Sequence, residues 1–221
     1  MSDSTSVTCS NTCSKPDSKP WTSLALLLVV MLTAACGSVP KKPQSGSAQT
    51  DLCFLLYDMK ADKYVREIGG DRCKERLPAC SSFKVPLAVM AFDAGILKDE
   101  NVMLKWDGRK ESREVVNRDH NAKTWMQDSV VWFSQRLTPQ LGAKRFQTYL
   151  DGFEYGNRDF SEGLTTAWLV SPSETNKGLR ISAYEQIAFM KKLWRDQLPA
   201  SKRAMKLARQ ITFLETSPNG F

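Results

Sequence analysis

The tetrad Ser81-Ser82-Phe83-Lys84, standing at the head of an apolar helical pattern, constrains this chain more than any other feature in it. From Ser82 to Leu97 the residues repeat at helical spacing, with Val85, Val89 and Phe92 on one stripe and Leu87, Met90 and Ala94 close beside it. Pro86 is tolerated because it falls in the first turn, and Gly95 marks the helix end. Residues three apart on a helix share a face, so this spacing sets the Lys84 amine beside the Ser81 hydroxyl. A serine hydroxyl is a poor nucleophile and needs such a base within hydrogen-bonding reach. Val85, Pro86 and Leu87 keep water scarce around Lys84, and desolvation lowers a lysine pKa toward the range in which it accepts protons. The free N–H groups of a helix start can receive an oxyanion. A capping serine followed by a surface lysine has the same spacing, so the rest of the chain must decide.

The N-terminal part points to export. Residues 1–36 read as a signal peptide: a polar start, then the apolar run Leu24 to Ala35, too short to span a bilayer comfortably, then small residues before Cys36. Thr33-Ala34-Ala35-Cys36 resembles a bacterial lipoprotein cleavage site, which would make Cys36 the lipidated first residue. Thr33 stands where that pattern usually has leucine, so ordinary signal cleavage stays open as the alternative. Residues 37–50, rich in Ser, Pro, Lys and Gln, read as a tether, and the domain runs over 51–221. The expected location is the periplasm or cell envelope, with any membrane attachment through the signal or a lipid at Cys36. In an oxidising compartment Cys53 and Cys73, which flank a hairpin-like segment, are candidates for a cross-strand disulfide, and Cys80 is left over. With one histidine, His120, and no closely paired cysteines, no metal site is expected, and His120 reads as a surface or capping residue. The net charge of +7 is spread along the chain, in part over the solvated helix faces of Lys191 to Arg209, so no nucleic-acid partner is expected.

Within the domain, Cys53 to Asp58 and Lys63 to Ile68 read as strands joined by the turn Met59 to Asp62. Helices are expected over Thr124–Leu137, Gly142–Leu150, Ser182–Trp194 and Ala200–Arg209. Gln210 to Thr216 turns strand-like before the turn signal Ser217-Pro218-Asn219-Gly220. Strands, then many helices, then a strand imply an α+β fold, an antiparallel sheet flanked by helices.

Four segments occur together in order: Pro78-Ala79-Cys80-Ser81-Ser82-Phe83-Lys84-Val85-Pro86; Ser129-Val130-Val131; Tyr155-Gly156-Asn157; and Trp168-Leu169 followed by Leu179-Arg180-Ile181-Ser182. Together they resemble the motifs of the class D (oxacillinase-type) serine β-lactamases, over the whole of 51–221. The resemblance implies the serine β-lactamase and penicillin-binding transpeptidase-like fold and a small-molecule β-lactam as the partner. It implies Ser81 as nucleophile, with its own N–H as half of the oxyanion hole, and Lys84 as base. No separate cofactor is implied; carbon dioxide enters as a carbamate on Lys84, which Trp168 would shelter and hydrogen-bond. Ser129 would pass a proton to the departing lactam nitrogen, and Val131, Tyr155 and Asn157 would touch the substrate. The expected assembly is a monomer or homodimer.

Two departures qualify these expectations. The family's K-[ST]-G strand has no counterpart here, so the last strands and the C-terminal helix are expected to be missing and the chain to be C-terminally truncated. Val170 to Gly178 is an extra polar stretch, read as a lengthened surface loop. The alternatives to hydrolysis are a penicillin-binding sensor domain, which would hold the acyl group, and an inactive truncated fragment of poor stability.

Overall fold

A helix that is apolar on every side has nowhere to lie but inside. In the computed structural model, which describes residues 52–174 and 176–213, that helix is α1 (Lys84–Asp93), buried at Lys84, at Pro86 and along the run Leu87 to Phe92. Burial thus reaches beyond the two neighbouring rows expected from the sequence, to Lys84, Pro86, Ala88 and Ala91, because helices cover α1 from more than one direction. It packs against α3 (Val131–Leu141) and α6 (Lys202–Thr212). α6 also meets α2 (Ala122–Gln127), and α4 (Ala143–Phe153) lies against α3.

Two small antiparallel sheets flank these helices. β1 (Phe54–Asp58) pairs with β2 (Lys63–Ile68), and β3 (Leu77–Pro78) pairs with β4 (Arg180–Ile181). The expected α+β class holds. The hairpin lies on α5 (Ala183–Trp194). Its turn is fastened there by Asp62, whose carboxylate accepts from Arg195 at 2.7 Å and lies 3.3 Å from the Lys191 amine. Part of the basic run from Lys191 to Arg209 is thus engaged in ion pairs, since Arg209 also meets Asp196 at 2.7 Å.

Cys53 and Cys73 are disulfide-bonded, but the bridge is not cross-strand. Cys73 belongs to a 3-10 turn, Gly70–Lys74, that follows β2, so the bond ties the entry of the hairpin to the turn leaving it. Closing a loop with a sequence separation of 20 removes chain entropy worth about 3 kcal/mol in the loop-entropy picture.

Three boundaries differ from expectation. The nucleophile segment begins as a 3-10 helix, Cys80–Phe83, and becomes α-helical only at Lys84, while Gly95 follows the helix end with φ +71°. The expected helix Thr124–Leu137 is two helices, α2 and α3, interrupted at Asp128-Ser129-Val130. Gln210 to Thr212 continue α6 instead of forming a strand, because Ile211 is buried on the inner face of that helix. Residues 1–51, with the expected leader, Cys36 and tether, and the turn Ser217–Gly220 lie outside the described residues.

Candidate active site

The tetrad is fixed by its third residue. Phe83 is fully buried, its ring stacked on Trp168 at 5.0 Å and met edge-on by Phe146 and Tyr155. With Phe83 pinned inward, Ser81 on one side of it stays exposed while Lys84 on the other is buried. The preceding strand is held by β3–β4 pairing and by the Ala79 N–H, which donates to the Leu179 carbonyl at 3.0 Å. Ser82 locks the turn: its Oγ donates to the Ala79 carbonyl at 2.6 Å and accepts from Gln186 of α5 at 3.1 Å. Cys80, directly before Ser81, has φ +46°, a conformation that costs a non-glycine residue roughly 1–3 kcal/mol and is retained where the surroundings impose it.

The break between α2 and α3 delivers the third group. Ser129 has φ +54°, which turns its hydroxyl toward the tetrad. Both sides of the break are braced: Trp125 of α2 stacks on Phe133 of α3 at 4.9 Å, and its indole N–H donates to Ser134 Oγ at 3.0 Å. Asp128 is held by Arg118 at 3.0 Å. The result is a triangle. Lys84 Nζ donates to Ser81 Oγ at 3.1 Å and to Ser129 Oγ at 3.0 Å, and Ser129 Oγ donates to Ser81 Oγ at 3.0 Å.

Burial, first, and then the positive charge of Arg113 lower the Lys84 pKa to about 8, against a smaller opposing influence from Cys80. Roughly a tenth of the amine is then neutral at pH 7, instead of a vanishing fraction at the ordinary lysine value. A neutral amine can take a proton from a serine or combine with carbon dioxide. The Ser81 N–H stands in the first turn of its 3-10 helix, where main-chain donors have no partner within the helix. A cleft of about 80 Å³ opens beside Ser129 of the triangle, lined by the loop Glu111-Ser112-Arg113 and by Val116, Ser129, Val131 and Trp132. Among the described residues no group of three or more His, Cys, Asp or Glu side chains is placed to hold a metal ion.

Ser81, Lys84 and Ser129 are thus brought together, Val131 lines the cleft, and Trp168 packs on the tetrad's anchor. Tyr155 and Asn157 are placed otherwise than expected. Tyr155 is 1% exposed, its ring against Phe83 and Phe189, so it serves the core. Asn157 is occupied with main chain: Oδ1 accepts from the Arg180 N–H at 2.8 Å, Nδ2 donates to the Gly178 carbonyl at 2.8 Å, and its own N–H donates to the Arg180 carbonyl. The stretch Val170 to Gly178 is likewise more than a surface loop. The buried Arg180 guanidinium donates to the carbonyls of Ser171, Glu174, Lys177 and Arg76, gathering the loop against β4. His120 is fully buried, beside Trp132 and 3.8 Å from Asp128, not on the surface. Arg113 was not singled out by the sequence, since a lone arginine in a polar loop carries no periodic or spacing signal.

Residues 53–212 match the family model described as the penicillin binding protein transpeptidase domain. The chain is 38% identical over 176 residues to β-lactamase OXA-1 of Escherichia coli, covering 77% of this chain and 61% of that one. It is 37% identical over 193 residues to β-lactamase OXA-9 of Klebsiella pneumoniae, covering 83% and 68%. Among solved structures it resembles a class D β-lactamase from Bacillus subtilis, with a TM-score of 0.69 and 32% identity over 75% of this chain and 67% of that one. The chain therefore spans between about three fifths and two thirds of the length of these relatives.

Proposed function

Because the chain belongs to the class D β-lactamase family, we propose that it hydrolyses β-lactams through an acyl-enzyme on Ser81. The observation that carries this reading is the closed triangle of Ser81, Lys84 and Ser129, with the base buried and its pKa near 8. Ser81 Oγ attacks the lactam carbonyl carbon and gives up its proton toward Lys84. The Ser81 N–H stabilises the oxyanion, and Ser129 passes a proton to the lactam nitrogen as the C–N bond breaks. A water activated from the Lys84 side then attacks the ester and restores Ser81. A carbamate on Lys84, formed from the neutral amine and carbon dioxide with release of a proton, supplies the base in this family. The Lys84 environment suits it, because burial disfavours the charged amine. Trp168 shelters that position through its packing on Phe83.

In this reading the protein works outside the cytoplasm, in the periplasm or cell envelope, with residues 1–36 as its export signal and Cys36 as a lipid attachment point. There it would confer β-lactam resistance, as a monomer or homodimer. The test is benzylpenicillin hydrolysis followed by the loss of lactam absorbance, in degassed buffer and in buffer with added bicarbonate. Turnover that rises several-fold with bicarbonate is expected. A stable adduct without turnover would favour a penicillin sensor, and neither adduct nor turnover would contradict the reading.

A further inference from the structure

We propose that His120 is a positioning residue for Ser129, acting through Asp128: the neutral ring leaves Ser129 in the triangle, and the charged ring draws it out. This rests on the hydrolytic reading above and assigns a control over its proton-relay serine. His120 is fully buried, and neither ring nitrogen makes a hydrogen bond among the described residues. A buried polar ring left in that state is costly. It packs beside Trp132 of the cleft wall, with ring centroids 5.8 Å apart. Its Nδ1 stands 3.8 Å from the Asp128 carboxylate, too far for a hydrogen bond and near enough for a charge to be felt. Asp128 is held by Arg118 at 3.0 Å. The next residue is the left-handed Ser129, whose hydroxyl lies 3.0 Å from both Ser81 Oγ and Lys84 Nζ.

The other charges around the ring are occupied. Asp119 pairs with Lys105 at 2.7 Å, and Arg136, over the Trp132 ring, lies 3.6 Å from Asp107. Glu114, on the turn that carries Val115 and Val116, accepts from Asn117 at 3.3 Å. Burial, first, and then Arg118 hold the His120 pKa below its ordinary value of 6.5, against Asp128 and the main chain of Val115 and Val116. The ring is therefore mostly neutral at pH 7. When acid charges it, Asp128 is the carboxylate it meets. Closing that gap to an ordinary charge-assisted bond moves the carboxylate by about 1 Å. A shift of this size one residue before Ser129 misplaces its hydroxyl, with an expected loss of about tenfold in acylation rate.

His120 is the single histidine of the chain, so without a histidine tag its ring-proton NMR signal needs no assignment. The experiment follows that signal, and the rate of Ser81 acylation by benzylpenicillin, between about pH 4 and 8. It uses the unaltered protein, His120→Gln and Asp128→Asn. Dividing the unaltered rate by the His120→Gln rate removes the limb due to Lys84, which both share. The quotient should fall about tenfold as pH drops, over the same window in which the histidine signal titrates. Asp128→Asn should lower the midpoint of that titration and abolish the step in rate, since the charged ring then has no carboxylate to draw. A purely structural His120 gives a quotient that is the same at every pH, which would overturn the inference and leave the hydrolytic reading standing. A signal that does not titrate before the fold is lost, or a step that persists in Asp128→Asn, would do the same. If His120→Gln does not fold, the quotient with Asp128→Asn carries the test. If the unaltered protein is not acylated at any pH, both readings fall together.

Discussion

Replacing Lys84 by methionine is expected to cut the rate of Ser81 acylation by a factor of about 10² to 10⁴, the usual worth of a positioned general base, while making the fold more stable at neutral pH. The two effects have one cause. Burial, first, and then Arg113 hold the Lys84 pKa at about 8, below its ordinary value of 10.5. A group whose pKa is lowered on folding contributes its full stability only above the unfolded value and loses it as pH falls through the folded one. At pH 7 the buried amine is mostly charged, and the penalty approaches the full shift, up to about 3 kcal/mol. Methionine fills similar space without the charge, although it forfeits the bonds to Ser81 and Ser129. In the unaltered protein, acylation in carbon dioxide-free buffer should climb with pH through about 8 as the amine becomes neutral. Stopped-flow acylation and thermal unfolding between pH 6 and 10 check both. An unchanged acylation rate in the methionine variant would remove Lys84 from the mechanism.

Gly156→Ala should destabilise the fold by about 3 kcal/mol or more, lowering the melting temperature by roughly 10 °C in a domain of this size. Gly156 has φ +55°, and a Cβ there would lie 1.9 Å from the Arg180 carbonyl oxygen. That oxygen cannot withdraw cheaply. It accepts from the Asn157 N–H at 2.9 Å, and the Arg180 N–H is in turn bonded to the Asn157 side chain. Since β4 holds β3 and β3 leads into the nucleophile turn, the damage should extend to activity. Gly95→Ala is the control. Its φ is +71° with no atom within 4 Å of the added Cβ, so it should cost only the conformational penalty, about 1–2 kcal/mol. Equal losses in the two variants would mean that close approach to Arg180 is not what requires glycine.

How much of this was legible depends on the distance over which each feature is encoded. The placing of Ser81 beside Lys84 follows from three-residue spacing alone, and the hairpin with its turn was visible in local pattern. The break at Ser129 was not. The apolar period runs on from Trp125 through Leu137, and the contacts that brace a left-handed serine there, Trp125 on Phe133 and Ser134 and Arg118 on Asp128, join residues that the pattern does not link. Tyr155-Gly156-Asn157 was visible as a motif, with Tyr155 and Asn157 read as substrate contacts. What requires it is a strand more than 20 residues away, Arg180–Ile181, which a one-dimensional reading does not bring near. His120 was taken for a surface or capping residue, whereas it is buried beside Trp132, its main chain bridged to Leu104. Arg113 acquires meaning only once the loop folds against Ser129 and Val131.

The central claim is that Ser81 carries the substrate as an ester. The most direct measurement is intact mass at millisecond to minute times after mixing the protein with benzylpenicillin, with peptide mapping of any adduct. One penicilloyl group is expected on the peptide containing Ser81, decaying as product appears and absent from Ser81→Ala. An adduct on another residue, or one that persists in Ser81→Ala, would contradict it.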